Sequence, residues 1–319
     1  MIRSKITGTG SYLPTRIMTN EDLSKMVDTS DEWIVERTGI KERHIVEDGE
    51  LTSDMALEAS LEAIANAKID KNDIDMIVFA TTTPDKIFPA TATILQKKLG
   101  LENNCFAFDV QAVCSGFIYS MNIADNFIKS GQVKTVLVVG ADSMSKLIDW
   151  TDRNTCVLFG DGAGAVILQA TEGENGILNC ILKSDAKYND ILDTTGGVSS
   201  TKTIGTIHME GKEVFKVAVT KMADCVAENI EKCGLRKEDI KLLIPHQANQ
   251  RIISGVGNRL GLLDEQVIST VAHHANTSAG SVPLALDYAV KNNRIKSGDI
   301  IVLEALGGGI TWGSIIIRW

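Results

Sequence analysis

Asn72-Asp-Ile-Asp-Met-Ile-Val-Phe-Ala80 decides the fold, because the chain carries its pattern twice. Glu238-Asp-Ile-Lys-Leu-Leu-Ile-Pro-His246 repeats it at a shift of 166 residues (72 to 238). Each copy runs from a polar start into an unbroken apolar stretch, the pattern of a strand buried on both faces. Each follows a helical segment. Farther out, Lys98-Leu-Gly-Leu101 is answered by Arg259-Leu-Gly-Leu262, and Ile128-Lys-Ser-Gly131 by Ile295-Lys-Ser-Gly298. Both members of the last pair precede apolar runs. Three matched pairs in one order indicate duplication of a unit of roughly 150 residues, dividing the chain into 1–170 and 171–319. Val136-Leu-Val-Val139, Ala165-Val-Ile-Leu168, Leu242-Leu-Ile244, Ile300-Ile-Val-Leu303 and Ser314-Ile-Ile-Ile317 read as further buried strands. Amphipathic stretches such as 53–67 and 214–233 lie between, so the class is α/β. On this repeat Ala80 corresponds to His246. A pseudo-twofold fold brings equivalent loops to one centre, one half supplying a nucleophile and the other its polar partners.

The 319 residues, 44% hydrophobic, suffice for a large core or two closely packed units. Twenty-seven glycines against five prolines point to tight turns and close backbone contacts. A formal net charge of -9 argues against nucleic acid or an anionic membrane as partner. The N-terminal Met-Ile-Arg-Ser-Lys stretch has no apolar leader core, and no apolar run approaches a membrane span. Six scattered cysteines form no Cys-x-x-Cys pair and have no His at ligand spacing. A reduced, cytoplasmic protein with no structural metal is expected.

Four segments can carry chemistry. Cys114 lies in Phe108-Asp-Val-Gln-Ala-Val-Cys-Ser-Gly-Phe117, just before a helical stretch at 116–130. A helix N-terminus lowers a thiol pKa, which is a route to a nucleophile; the alternative is a buried small hydrophobe. His246 follows a buried strand in Ile-Pro-His-Gln-Ala-Asn249, where α/β proteins place ligand contacts. A loop histidine held by hydrogen bonds is the competing reading. Asn276, in Val271-Ala-His-His-Ala-Asn-Thr-Ser-Ala-Gly280, can cap the helix at 282–290 or donate to a substrate oxygen. At least one of His273 and His274 reads as structural. Glu304-Ala-Leu-Gly-Gly-Gly-Ile-Thr-Trp-Gly313 puts three glycines after a strand, as an oxyanion hole requires, with no Lys-Ser/Thr of a phosphate loop. Gly160-Asp-Gly-Ala-Gly164 reads as a tight strand connection.

With these residues in view, the chain closely resembles the β-ketoacyl-acyl carrier protein synthase III family over essentially its whole length. The resemblance rests on Asp31-Glu-Trp-Ile-Val-Glu-Arg-Thr-Gly-Ile40, the Cys114 segment, Phe159-Gly-Asp-Gly-Ala-Gly164, Pro245-His-Gln-Ala-Asn249, His274-Ala-Asn-Thr-Ser278 and Gly307-Gly-Gly-Ile-Thr-Trp-Gly313. It implies a thiolase-like duplicated αβαβα layered fold, with Cys114 in the first half and His246, Asn276 and the glycine loop in the second. It implies a catalytic Cys114–His246–Asn276 triad, with acetyl-CoA or a similar acyl-CoA as primer and malonyl-acyl carrier protein as extender. Trp33, Arg37 and Arg153 match CoA contacts. Thr29, Phe215 and Asn249 match residues of the pantetheine tunnel. Gln247, Ala248, Asn249, Gln250 and Arg251 match a carrier-protein segment, and Phe88 matches a residue reaching a partner's acyl pocket in a homodimer.

The chemistry so implied is ping-pong: Cys114 takes the acyl group, the amides of Cys114 and Gly308 hold the oxyanion, and the malonyl thioester loses CO2. His246 and Asn276 donate to the enolate oxygen. Neither metal nor organic cofactor is required, because decarboxylation generates the carbanion. Arg251, Arg259, Lys216 and Lys221 are expected to form the basic patch that an acidic carrier protein needs. Leu306 stands where several relatives have Phe, and Gln111, Val113 and Ser115 surround Cys114 where others often have Ala; these bear on primer length. A degradative thiolase would carry a second Cys near Ala305 and Leu306. An elongating enzyme would use two histidines, which Asn276 opposes. A Cys-His-Asn hydrolase is the alternative from another class.

Overall fold

The computed structural model describes residues 2–319. The first half contains β1 (Ile2–Tyr12), β2 (Arg16–Thr19), α1 (Asn20–Ser24), α2 (Asp31–Thr38), β3 (Glu42–Ile45), α3 (Thr52–Ala67), β4 (Met76–Ala80), α4 (Thr91–Leu99), β5 (Phe106–Val110), α5 (Gly116–Lys129), β6 (Thr135–Ser143) and β7 (Asp161–Glu172). The second contains β8 (Gly176–Ser184), β9 (Leu192–Thr194), β10 (Ile207–Met209), α6 (Gly211–Lys232), β11 (Ile240–Pro245), α7 (Gln250–Leu260), α8 (Val271–His274), α9 (Ser281–Lys291), β12 (Ile300–Gly307) and β13 (Thr311–Arg318).

The two quoted segments become β4 and β11, at matching places in two sheets. The first sheet runs β1-β7-β6-β4-β5 and the second β8-β13-β12-β11. A parallel bridge from Leu243 to Val267 marks where the second sheet's counterpart of β5 would lie. The β4–β6 and β11–β12 pairs are parallel, and β6–β7 and β12–β13 antiparallel. Gly100 and Gly261 end α4 and α7 at φ 62° and 69°. Gly131 and Gly298, before β6 and β12, also have positive φ. Each repeated glycine thus sits where only a left-handed backbone continues the chain.

Side-chain alternation explains the layering. In β4, Met76 and Val78 face the core between the sheets, while Ile77 and Phe79 face α3 and α4. Helices α5 and α9 fill the space between the sheets with Phe117, Ile118, Met121, Val282 and Leu286. Helices α6 and α7 cover the outer face of the second sheet through Met222, Val226, Ile252 and Val256. The result is five layers, α/β/α/β/α, and each central strand is buried on both faces. At roughly 1.5–3 kcal/mol per large buried side chain, this continuous core anchors the loops at its centre.

Three features depart from the sequence pattern. β1 and β8 lack the expected apolar run: β1 alternates Thr, Ser and Gly, and its Gly8 and Gly10 lie so close to α3 that a Cβ would sit 2.2 Å from Ala63 O and Ala59 O. β5 is an edge strand, only half-buried, so its pattern is diluted. Gly160–Gly164 is not a tight connection. It opens β7, and the β6–β7 connection is the long stretch 144–160, pinned where Asp161 accepts from Val46 N and Ser145 N, both at 2.8 Å.

Candidate active site

A cavity of about 330 Å³ lies where the two halves meet, and its wall includes Cys114, His246 and Asn276. Cys114 sits in a 3-10 turn, Val113–Ser115, between β5 and α5. Val113 has φ 50°, an unusual value for a β-branched residue and a mark of stored strain at the turn. The turn presses against β12: a Cβ on Gly307 would lie 2.6 Å from Ala112 O and 2.8 Å from Cys114 N. Gly307 is therefore what lets the glycine loop close on the thiol. Ser115 fixes the turn's base through its hydroxyl, 2.8 Å from Ala112 O and 2.7 Å from Thr311 Oγ1.

The reading of Cys114 as a thiol acidified by a helix N-terminus needs correction for the free protein. Burial pushes its pKa up to about 12, the Asp142 carboxylate adds to the rise, and the Ser278 hydroxyl opposes it. Desolvation of the thiolate outweighs the helix. The sulfur rests as a thiol.

His246 is buried at 3% exposure, and its backbone N–H donates to Glu304 O at 2.8 Å, continuing the β11–β12 pairing. Nδ1 lies 2.6 Å from Ser281 Oγ. Ser281 Oγ also accepts from Gln247 N at 3.4 Å, and when its own proton goes to Nδ1 the ring hydrogen sits on Nε2. Burial lowers the His246 pKa to about 3, so the ring is a neutral donor. Asn276 does not cap α9. Its Oδ1 accepts from Ser278 N at 2.9 Å, and its backbone joins Leu158 O and Gly160 N. With Oδ1 engaged, Nδ2 is left for the cavity. A thiol facing two neutral donors suits acyl capture followed by stabilisation of an enolate oxygen.

Of the remaining expected residues, Gly308, Phe215, Ala248 and Asn249 line the same cavity. Asn249 also caps α7, accepting from Ile252 N at 2.9 Å. Trp33, Arg37 and Arg153 come together away from that wall, the two guanidinium carbons lying 4.7 and 5.2 Å from the Trp33 ring centre. Arg153 NH1 donates to Asp28 O at 2.8 Å, beside half-buried Thr29. Gln247 is not at the surface as a carrier-protein contact requires. It is fully buried, donating to Pro245 O and Ile268 O and accepting from Thr270 N. Gln250 reaches Ser254 and Ser269, and Arg251 stacks over Phe215 at 5.5 Å. Phe88 is 81% exposed. The expected basic patch is thinned: among the described residues Arg259 pairs with Asp224 and Lys221 with Asp185, both at 3.0 Å, leaving Arg251 and Lys216 as its cations without an ion pair.

Neither His273 nor His274 reaches the cavity. His273 Nδ1 lies 2.9 Å from Glu42 Oε1, and His274 is half-buried, its pKa lowered to about 4, chiefly by desolvation. Sequence reasoning missed Ser281, Ser278 and Asp142. Only the density of small polar residues at 276–281 hinted at the first two.

Comparison with known proteins bears on the family. Residues 108–186 match the family described as 3-oxoacyl-[acyl-carrier-protein (ACP)] synthase III, and 230–319 its C-terminal part. A relative from Rhodospirillum centenum, beta-ketoacyl-[acyl-carrier-protein] synthase III, is 56% identical over 100% of this chain and 99% of its own. The Ehrlichia canis protein of the same name is 54% identical, with 100% of both chains covered. The crystal structure of 3-oxoacyl-[acyl-carrier-protein] synthase III from Aquifex aeolicus superposes with a TM-score of 0.95 at 46% identity, covering 99% of this chain and 100% of that one. Full-length similarity of this kind, on a fold with the duplicated five-layer plan, places the chain in the β-ketoacyl-acyl carrier protein synthase III family of condensing acyltransferases.

Proposed function

We propose that the enzyme condenses a short-chain acyl-CoA, acetyl-CoA foremost, with malonyl-acyl carrier protein, releasing CoA and CO2 and giving a 3-oxoacyl-acyl carrier protein that starts fatty acid synthesis. The observation that carries this reading is the convergence of Cys114, His246 and Asn276, from three separate loops of two halves, on one cavity wall. In the first half-reaction the Cys114 sulfur attacks the acyl-CoA carbonyl. The S–H proton ends on the departing CoA sulfur, and the amides of Cys114 and Gly308 hold the oxyanion. In the second, the malonyl thioester oxygen sits between His246 Nε2 and Asn276 Nδ2. Each donor is worth roughly 3 kcal/mol when charge develops there. Both are neutral, so they stabilise the enolate without quenching it by proton transfer. The carbanion comes from loss of CO2, which removes the chemical need for a metal or organic cofactor.

Residues 1–170 and 171–319 are the two units of the duplication in this reading. Trp33, Arg37 and Arg153 hold the CoA nucleotide, and Thr29, Phe215 and Asn249 the pantetheine arm. Ala248, Gln250 and Arg251 face the carrier protein, while Gln247 braces that loop from within. Exposed Phe88 suits a homodimer in which it enters the partner's acyl pocket. A cytoplasmic setting fits six free thiols. The test is mass spectrometry after incubation with a panel of acyl-CoAs, followed by CO2 release on adding malonyl-acyl carrier protein. Acylation at Cys114 and a 3-oxo product are expected; amide hydrolysis without CO2 release would instead support a Cys-His-Asn hydrolase.

A further inference from the structure

The Cys114 turn and the glycine loop come from opposite halves, and two hydroxyls join them. The glycine loop is the bend between β12 and β13, and Gly307 and Thr311 are its facing feet in the strand register. Both feet meet the Ala112 carbonyl at the base of the turn. A Cβ on Gly307 would lie 2.6 Å from Ala112 O, and Thr311 Oγ1 donates to the same oxygen at 3.1 Å. Ser115, fully buried, reaches that oxygen too, with its hydroxyl at 2.8 Å and its backbone N–H at 3.1 Å. Ser115 Oγ stands 2.7 Å from Thr311 Oγ1. Two hydroxyl protons thus serve three close approaches. With both aimed at Ala112 O, the two hydroxyl oxygens would face each other with no proton between them. The favourable arrangements send one proton to Ala112 O and the other to the partner hydroxyl. Either way, at least one hydrogen bond crosses from the first half to the second. Gly308 directly follows one foot of the loop, and Cys114 lies two residues past Ala112.

We propose that Thr311 and Ser115 are a positioning pair that sets the spacing between the Cys114 and Gly308 amides, and so the fit of the oxyanion hole. The inference rests on Cys114 being the residue that takes the acyl group, and it adds the side chains that align the two oxyanion donors. An oxyanion forms there twice per turnover. It forms first when the Cys114 sulfur attacks the acyl-CoA carbonyl, and collapses as the bond to the CoA sulfur breaks and CoA leaves with the Cys114 proton. It forms again when the enolate carbon attacks the acyl-Cys114 carbonyl. That intermediate collapses as the bond to Cys114 breaks; the sulfur keeps the electron pair and takes a proton from solvent. Both amides must reach one oxygen, and a misplacement of about 1 Å can cost about 10²-fold in rate. Hydroxyls bonded across the gap hold it to the length of a hydrogen bond, which apolar contact does not.

Thr311→Val keeps the shape of the side chain and removes its hydroxyl. It is expected to slow acylation of Cys114 by acetyl-CoA, followed by rapid-quench mass spectrometry, by about 10- to 100-fold, less than outright loss of a donor. Three readouts should stay as in the wild type: the half-saturating acetyl-CoA concentration, alkylation of Cys114 by iodoacetamide, and CO2 release from malonyl-acyl carrier protein alone. None of them develops an oxyanion between the two amides. Thr311→Ser keeps the hydroxyl and should recover most of the acylation rate. Ser115→Ala should cost less than Thr311→Val, because Thr311 still donates to Ala112 O directly. Adding Ser115→Ala to Thr311→Val should cost little more, because the bond between the halves is already gone. Thr311→Ala repeats the test if the valine variant does not fold. Wild-type acylation in Thr311→Val, or a serine variant as slow as the valine one, overturns the proposal. So does alkylation that falls in step with acylation, which would mean that the sulfur itself has moved. A wild-type protein alkylated at Cys114 but acylated by no acyl-CoA defeats the condensing reading and the positioning pair with it. The other adverse outcomes, in an enzyme whose wild type is acylated, defeat the pair alone.

Discussion

The turns Val113–Ser115 and Ser278–Gly280 are the same device used for opposite purposes. Each opens with a residue at φ 50° and leads into a central helix, α5 or α9. Each also abuts a glycine from the other half. Gly307 meets Cys114 N, and a Cβ on Gly140 would lie 2.2 Å from Ala279 O. The second position of the turn is Cys114 in one half and Ala279 in the other. In the proposed reaction the first turn presents the sulfur that takes the acyl group. The second presents none, and its neighbours Asn276 and Ser281 instead provide a donor and a support for His246. The duplicated fold holds two strained turns facing each other; in the proposed reaction one anchors the acyl group and the other, with its neighbours, cradles the anion.

The asymmetry is broken most severely at the sulfur. Cys114→Ala makes the two turns alike and is expected to abolish condensation, a loss of at least about 10⁴-fold, while malonyl-acyl carrier protein is still decarboxylated. Separate assays of product and of CO2 check this, and loss of both activities together would place Cys114 in the enolate step as well. On the other side, His246→Ala and Asn276→Ala are each expected to slow decarboxylation by about 10²–10³-fold. Cys114 acylation, followed by mass spectrometry, should suffer far less. The glycine contacts come next. Gly307→Ala forces the first turn away from β12 and is expected to cost about 1–3 kcal/mol of stability and most of the acylation rate. Gly140→Ala should cost similar stability but fall on decarboxylation, because it displaces the second turn. Denaturant melts alongside the two half-reaction assays distinguish the outcomes.

The double-sided burial of β4, β6, β7, β11, β12 and β13 is why the scaffold was readable from apolar runs alone. The edge strand β5 and the Gly- and Thr-containing β1 were not readable, because half-exposure and close helix packing erase the apolar signature. Cys114 and His246 lay at recognisable places, before a helix and after a strand. The electrostatics were misjudged at Cys114 because a local helix end is visible in sequence, whereas burial and a carboxylate 28 positions away in the chain (114 to 142) are not. Asp142 reads as an ordinary residue after a buried strand; only the fold reveals it, by setting its carboxylate against Thr81 and Thr83. Gln247 shows the converse limit, a motif position whose polar side chain points inward to bind Pro245 O.

Acid sensitivity should track the second half, where the two histidines with lowered pKa values lie. His246 and His274 have folded pKa values lowered to about 3 and about 4. In the unfolded chain they titrate near 6.5. Between those limits the unfolded state binds more protons, so stability is full above about pH 6.5 and falls as the pH drops toward 4. Each histidine contributes a slope of up to about 1.4 kcal/mol per pH unit. Thermal melts from pH 7.5 to 4.5 should show this loss, and His274→Gln should flatten it while leaving decarboxylation intact. An unchanged slope would mean that His274 titrates normally.

The smallest effect is expected at the surface, where the halves also differ. The equivalent helices α4 and α7 carry different charge: Lys98 on α4 is tied to Asp54 at 2.5 Å, whereas Arg251 in the first turn of α7 stands exposed. A docking carrier protein, being acidic, should therefore prefer the second half. Arg251→Glu should raise the KM for malonyl-acyl carrier protein by tenfold or less, roughly 1 kcal/mol, and the penalty should shrink with added salt. Arg251 also stacks on Phe215 of the cavity wall, so its loss could disturb the tunnel itself. Arg251→Gln separates the two causes: it removes the charge and the stack without adding repulsion. If the two variants weaken acyl-CoA and carrier-protein use equally, Arg251 is a wall support, and the asymmetry between α4 and α7 has no bearing on docking.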